Sequence, residues 1–182
     1  MVHKLENISF LNNYNINLIC AKDKLNGIGK GGKLLWHIPK DLRWMKLHTI
    51  NHTVIMGKNT FQDILTHTHN KPLPNRRNIV LSINPNKMWP KHIEIYPSIK
   101  SSFENIKKDE VVFVLGGEKI FQLFLPVAKK LFLTEVDSIH DADTFFPFFD
   151  EKQYKEVFCQ QDSDDKYQFT FKILEKLDIH PL

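Results

Sequence analysis

Five short apolar runs, each followed by a segment of helical or loop length, constrain this chain more than any other feature. "INLICA" (16–21), "TVIMG" (53–57), "RNIVLS" (77–82), "VVFVLGG" (111–117) and "KLFLTEV" (130–136) are too short for core helices. They are also too continuously apolar for strands wet on one face, so they read as buried strands. "HIEIYP" (92–97) alternates and adds another strand. Helices are predicted at 39–49, with Pro39 at the first position, at 58–65, at 98–106, and along "EKIFQLFLP" (118–126), where Pro126 is expected to end it. Parallel strands need long crossovers, so this order predicts an α/β fold built on a central, mostly parallel sheet with helices on both faces. "YKEVFCQQ" and "KYQFTFKILEK" alternate strongly and predict an antiparallel hairpin at the C-terminal end.

Two stretches interrupt this order. "KDKLNGIGKGGK" (22–33) carries four of the seven glycines and is expected to be a long, mobile loop. "THTHNKPLPNR" (66–76) is polar and Pro-rich and reads as another. The 182 residues suit one domain, with no internal repeat and no linker. The expected organisation is a polar, partly flexible extension at 1–15, an α/β domain at 16–177 and a short tail at 178–182.

Composition narrows the function classes. Hydrophobic residues at 42% and charged residues at 25% describe a water-soluble globule. No apolar run approaches the ~18 residues of a membrane span. The first fifteen residues lack the apolar stretch of a secretory signal. Cys20 lies in an apolar run far from Cys159 and is expected to be a reduced core residue, which favours the cytosol. The closest His pair, His67 and His69, has no Cys or carboxylate at ligand spacing, so no metal site is expected. A net charge of +4 spread over short doublets such as Arg76-Arg77 suits anionic ligands, not the continuous basic stripe of a nucleic-acid binder.

Three segments carry the chemistry. In "LLWHIPKDLRWMK" (34–46) Asp41 is the one acid, on the first turn of a helix, sharing a face with Met45 and lying near Leu42 and Thr49. A first-turn carboxylate ordinarily serves the helix dipole at the surface. Covered by apolar neighbours, it would instead be a desolvated acid with a raised pKa, costly until a ligand pairs with it. "VFVLGGEKIF" places Gly116-Gly117 where a strand turns into a helix, so that backbone N–H groups can approach a phosphate. A tight strand–helix turn explains the same pattern. "VIMGKNT" is a second such junction, with Gly57, Lys58, Asn59 and Thr60, and ordinary capping explains it equally well. Two junctions in one sheet suit a dinucleotide.

Taken in order, "GIGKGGKLLWHIPKDLRWMK", "VIMGKNTF", "PLPNRRNIVLS", "VFVLGGEKIFQLFLP", "KLFLTEV" and "DADTFFP" resemble dihydrofolate reductase over about residues 16–176. The resemblance implies a central eight-stranded, mostly parallel sheet and reduction of 7,8-dihydrofolate to tetrahydrofolate with NADPH. It matches Asp41 to the carboxylate that holds the pterin, Thr134 to the residue supporting it, and Trp36 to the mobile loop that closes over the nicotinamide. Ile19, Ala21, Leu42, Met45, Ile64 and Leu115 match the apolar walls of the substrate cleft, and Arg76 matches the arginine for the folate α-carboxylate, a bidentate pairing. Ala21, Ile28, Gly57, Lys58, Asn59, Thr60, Leu81, Ser82, Gly116, Gly117, Glu118, Lys119, Ile120 and Phe121 match the cofactor cleft, with Lys58 within reach of the 2′-phosphate. Antifolate-type molecules and dihydrofolate are the implied small-molecule partners, and a cytoplasmic monomer is implied. The chain departs from the family at Leu35 (usually Pro), at Ile83 (often polar) and in the longer 66–70 loop. A riboflavin-pathway type reductase on the same fold is the rival reading. A non-catalytic NADPH- or nucleic-acid-binding module is the rival from another class.

Overall fold

The computed structural model describes residues 8–84 and 89–177, so the expected tail at 178–182 and residues 1–7 lie outside it. The chain runs β1 (Asn15–Lys22), β2 (Gly27–Lys30), β3 (Lys33–Leu34), α1 (Pro39–Thr49), β4 (Thr53–Gly57), α2 (Lys58–His67), β5 (Arg77–Leu81), β6 (Glu94–Tyr96), α3 (Ile99–Ser102), β7 (Val111–Gly116), α4 (Glu118–Phe124), β8 (Lys130–Val136), β9 (Thr144–Phe145), β10 (Tyr154–Ser163) and β11 (Gln168–Lys176). Eight strands form one sheet in the order β10-β11-β8-β1-β7-β4-β5-β6. From β8 to β6 all neighbours are parallel, and β11 and β10 add antiparallel pairing.

Helices cover both faces because the central strands are apolar on both. Leu18, Ile55, Val114 and Leu133 pack on one side with Phe121 and Phe124 of α4 and Phe103 beyond α3. Ile19, Met56, Val80 and Phe132 pack on the other with Phe61 and Leu65 of α2 and with Trp44 and Met45 of α1.

Four expectations need correction. The glycine-rich 22–33 stretch is not a structureless loop: β2 pairs with β3 and with β9 in a small three-stranded sheet. Gly31 and Gly32 turn that hairpin with φ of 57° and 78°, a geometry that primed hairpin turns require. The helix expected over 98–106 holds only at Ile99–Ser102, where Ser98 caps it by accepting from the Ser101 N–H. Pro126 does not end the helical path, which continues as a 3-10 turn over Leu125–Val127. Residues 8–14, expected to be part of a loose extension, instead form a turn (Ser9–Asn13) whose Leu11 is wholly buried, while Phe10 and Tyr14 set their rings edge-on to Phe103.

The sheet order sets where ligands can enter. Open parallel sheets offer a crevice beyond the carboxyl ends of their strands. Here those ends bring Ala21 (β1), Gly57 (β4), Leu81 (β5) and Gly116 (β7) to one edge of the sheet.

Candidate active site

Helix α1 starts at Pro39, whose missing N–H costs nothing there, and so puts Asp41 in its first turn. The side chain is half-buried but closely surrounded by protein atoms. Desolvation raises its pKa from 3.8 to about 6, opposed by a hydrogen bond from the Thr134 hydroxyl to Oδ1 at 2.6 Å. Oδ2 accepts nothing from the described residues. Thr134 is 1% exposed, so this β8 hydroxyl and the acid on α1 meet well below the surface. Register aligns Ala21 of β1, Thr134 of β8 and Phe171 of β11 in one row across the sheet. Side chains of paired residues share a face, so these three project side by side.

The apolar residues expected around Asp41 divide. Ile19 is buried, while Met45, Ile64, Leu115 and Ala21 are half-buried. Leu42 is 38% exposed and covers less than its sequence position suggests. Trp36, in the segment between β3 and α1, is buried with Ile38, Val136, Phe169 and Phe171 and sets its ring edge-on to His140. Leu35 joins the same cluster.

Arg76 is held by neutral acceptors. Its Nε donates to Thr49 Oγ1 at 2.8 Å, and its terminal nitrogens donate to the Pro74 and Lys46 carbonyls. No carboxylate among the described residues pairs with it. Burial pulls its pKa below the ordinary guanidinium value. The result is a braced, unneutralised cation at the end of α1.

The two expected phosphate junctions prove to be neighbours. β4 pairs with β7, with Met56 opposite Gly116. A Cβ on Gly57 would lie 3.1 Å from the Ile120 side chain, and one on Gly117 would lie 3.4 Å from the Thr60 hydroxyl. At Gly116, φ is 102° and a Cβ would strike the Phe121 ring at 2.6 Å. The Gly116–Gly117 peptide is cis. Lys58 is half-buried with no ion pair among the described residues, and Lys119 is exposed. Glu118 accepts from the Gln122 amide and the Phe145 N–H. Ser82 lies just past β5, its N–H donating to the Tyr96 carbonyl, and Ile83 is 66% exposed. Ile28 is buried in β2.

The described residues thus offer a desolvated acid (Asp41), a braced cation (Arg76) and a side-chain-free double turn (Gly116–Gly117). A sequence model of the family described as dihydrofolate reductase matches residues 15–176. The chain belongs to the dihydrofolate reductase family. Its similarity to the dihydrofolate reductase of Staphylococcus haemolyticus is 35% identity over 165 residues, 89% of this chain and 96% of that protein. The enzyme of Bacillus subtilis is 34% identical over 88% of this chain and 94% of its own length. Among solved structures, dihydrofolate reductase from Enterococcus faecalis complexed with NADP(H) and RAB-propyl superposes with a TM-score of 0.79 at 30% identity, covering 90% of this chain and 97% of that one. The eight-stranded, mostly parallel sheet expected for a dihydrofolate reductase is the one observed.

Sequence reasoning missed the aromatic support of this reductase's α1. Trp44 stacks on Phe171 (centroids 4.7 Å, 22°) and on Phe158 (5.4 Å, 25°), both from the C-terminal hairpin. The alternation in "YQFTF" marks Phe171 as inward-facing, but only the register shows what it faces.

Proposed function

We propose that this protein reduces 7,8-dihydrofolate to tetrahydrofolate with NADPH, with Asp41 holding the pterin. The single observation that carries the reading is the Asp41 carboxyl: largely desolvated, braced by one hydroxyl, and with an oxygen to spare. A flat heterocycle with an amidine-like edge offers two adjacent N–H groups, and a carboxylate accepts both. A charged carboxylate that is costly alone becomes favourable once paired. Ile19, Ala21, Met45, Ile64 and Leu115 suit the ring faces, and Arg76 suits a carboxylate on the substrate tail.

The cofactor fit rests on the glycine cradle. Gly57, Gly116 and Gly117 keep three side chains out of a turn that Thr60 and Ile120 line, which lets backbone approach a pyrophosphate. Lys58, unpaired among the described residues, suits a further phosphate. NADPH, when bound, supplies the hydride. The chain orients both rings, excludes water with its apolar walls, and places a negative charge where it favours the protonated pterin. Positioning of this kind can supply up to roughly 7–11 kcal/mol of the barrier. Asp41 anchors the ring, and the proton reaches the imine nitrogen through solvent.

The test is the oxidation of NADPH followed spectrophotometrically with dihydrofolate and, separately, with a ribitylated pyrimidine. The reading requires turnover with the first and loss of turnover in Asp41→Asn at neutral pH. Turnover with the pyrimidine alone would replace it with the riboflavin-type reaction.

A further inference from the structure

Asp41 and Trp44 lie three residues apart on α1, within one turn. The two side chains are met by two adjacent residues of the sheet. Thr134 of β8 donates to Asp41 at 2.6 Å, and Phe171, paired with Thr134 across the β8–β11 ladder, stacks on Trp44 at 4.7 Å. The helix is thus gripped at two neighbouring points by one row of the sheet. Trp44 Nε1 is buried and finds no acceptor among the described residues, so ring packing sets the place of the indole. The hairpin adds a third tie: Lys40, next to Asp41, donates to Asp162 Oδ1 at 2.5 Å and to the Ser163 carbonyl at 2.8 Å.

We propose that Phe171 is a positioning residue for Asp41, acting through its stack on Trp44 to keep the carboxyl within reach of the Thr134 hydroxyl. Phe171 is 6% exposed and reaches α1 through its stack on Trp44. The hydrogen bond it protects is short and directional, so a small tilt of α1 weakens it steeply. That bond favours the charged form of Asp41, and loosening it raises the carboxyl pKa further. A carboxyl resonance separates Asp41 from the titratable groups packed nearby, the Cys20 thiol on β1, pushed up by burial, and the His48 imidazole on α1, pulled down by burial. The proposal rests on the reading of Asp41 as the substrate carboxylate.

The experiment reads Asp41 directly, by carboxyl 13C NMR of aspartate-labelled protein, with the resonance assigned from Asp41→Asn. Phe171→Leu removes the ring at similar volume. Trp44→Leu removes the other half of the stack at a half-buried position, where the fold tolerates more. Both should move the titration midpoint up from about 6, by roughly half a pH unit or more, as loosening a bond to the charged form requires. Both should lower kcat/KM for dihydrofolate roughly three- to tenfold at neutral pH with KM for NADPH unchanged. Trp44→Phe, which keeps a ring, should restore most of both. In a Thr134→Val background the Phe171→Leu shift should vanish, because the bond it protects is already gone. A folded Phe171→Leu or Trp44→Leu protein with an unmoved midpoint, or a shift that adds fully to that of Thr134→Val, overturns the proposal. An Asp41→Asn enzyme with normal turnover would instead overturn the functional reading, while the NMR titration still reports on Phe171.

Discussion

The Arg76 Nε–H donates to Thr49 Oγ1 at 2.8 Å, and the Thr49 hydroxyl in turn donates to the Met45 carbonyl at 2.7 Å. Thr49 is wholly buried, so this relay fixes the guanidinium against the last turn of α1. Thr49→Val keeps the shape and removes the acceptor. A guanidinium left free to swing should bind the folate tail less well, raising KM for dihydrofolate roughly tenfold or more, the worth of one charge-assisted bond, with kcat little changed. A pterin lacking the glutamate should show no such difference, which steady-state kinetics on both substrates will check.

The desolvated charge of Asp41 costs stability. Its pKa is raised from 3.8 to about 6, so the folded protein holds that proton over a range where the unfolded chain releases it. Stability therefore falls as pH rises through this window, and the cost of the charge is complete above about 6. Its size is on the order of 2–3 kcal/mol. Asp41→Asn should raise Tm by several degrees at about pH 8, with the gain shrinking toward zero near pH 4. Calorimetry across that range is the check, and a gain that is flat with pH would contradict a desolvated acid.

Two glycines with positive φ should respond differently to the same substitution. Gly31→Ala adds a methyl with nothing within 4 Å, so only the backbone preference is lost, about 1 kcal/mol. Gly116→Ala meets the Phe121 ring at 2.6 Å as well, and overpacking adds about 1–3 kcal/mol to the backbone cost. NADPH affinity should drop with Gly116→Ala and stay unchanged with Gly31→Ala, as read by cofactor fluorescence titration and urea denaturation.

The turn before β1 belongs to the core. Leu11 is wholly buried among residues of α3, α4 and the central strands. Leu11→Ala should cost about 2–5 kcal/mol, the range for emptying a core leucine site. Phe10, 38% exposed, should cost far less when truncated. Urea midpoints of the two variants will separate a docked turn from a loose one.

The strand order along the chain, the bounds of β4 and α1, and the C-terminal hairpin were legible because apolar period and turn chemistry are local properties. The 22–33 stretch was misread because its glycines signal flexibility in isolation, whereas here two of them turn a hairpin whose small sheet β9 completes. Residues 8–14 were misread because Ile8, Phe10, Leu11 and Tyr14 span too short a stretch to carry a periodic signal. Asp41 stood out by its apolar company, but its two possible fates differ only in what covers it.

The sequence by itself determined which segments are strands and helices, and which residue types were available for an acid, a cation and a glycine turn. Tertiary structure decided that Thr134 and Phe171 stand side by side beneath one turn of α1, and that Gly57 and Gly117 each face the helix start that follows the other. The physical reason is that residues far apart in the chain meet through strand order and register. Those are set by the packing of the whole sheet and are written in no single segment.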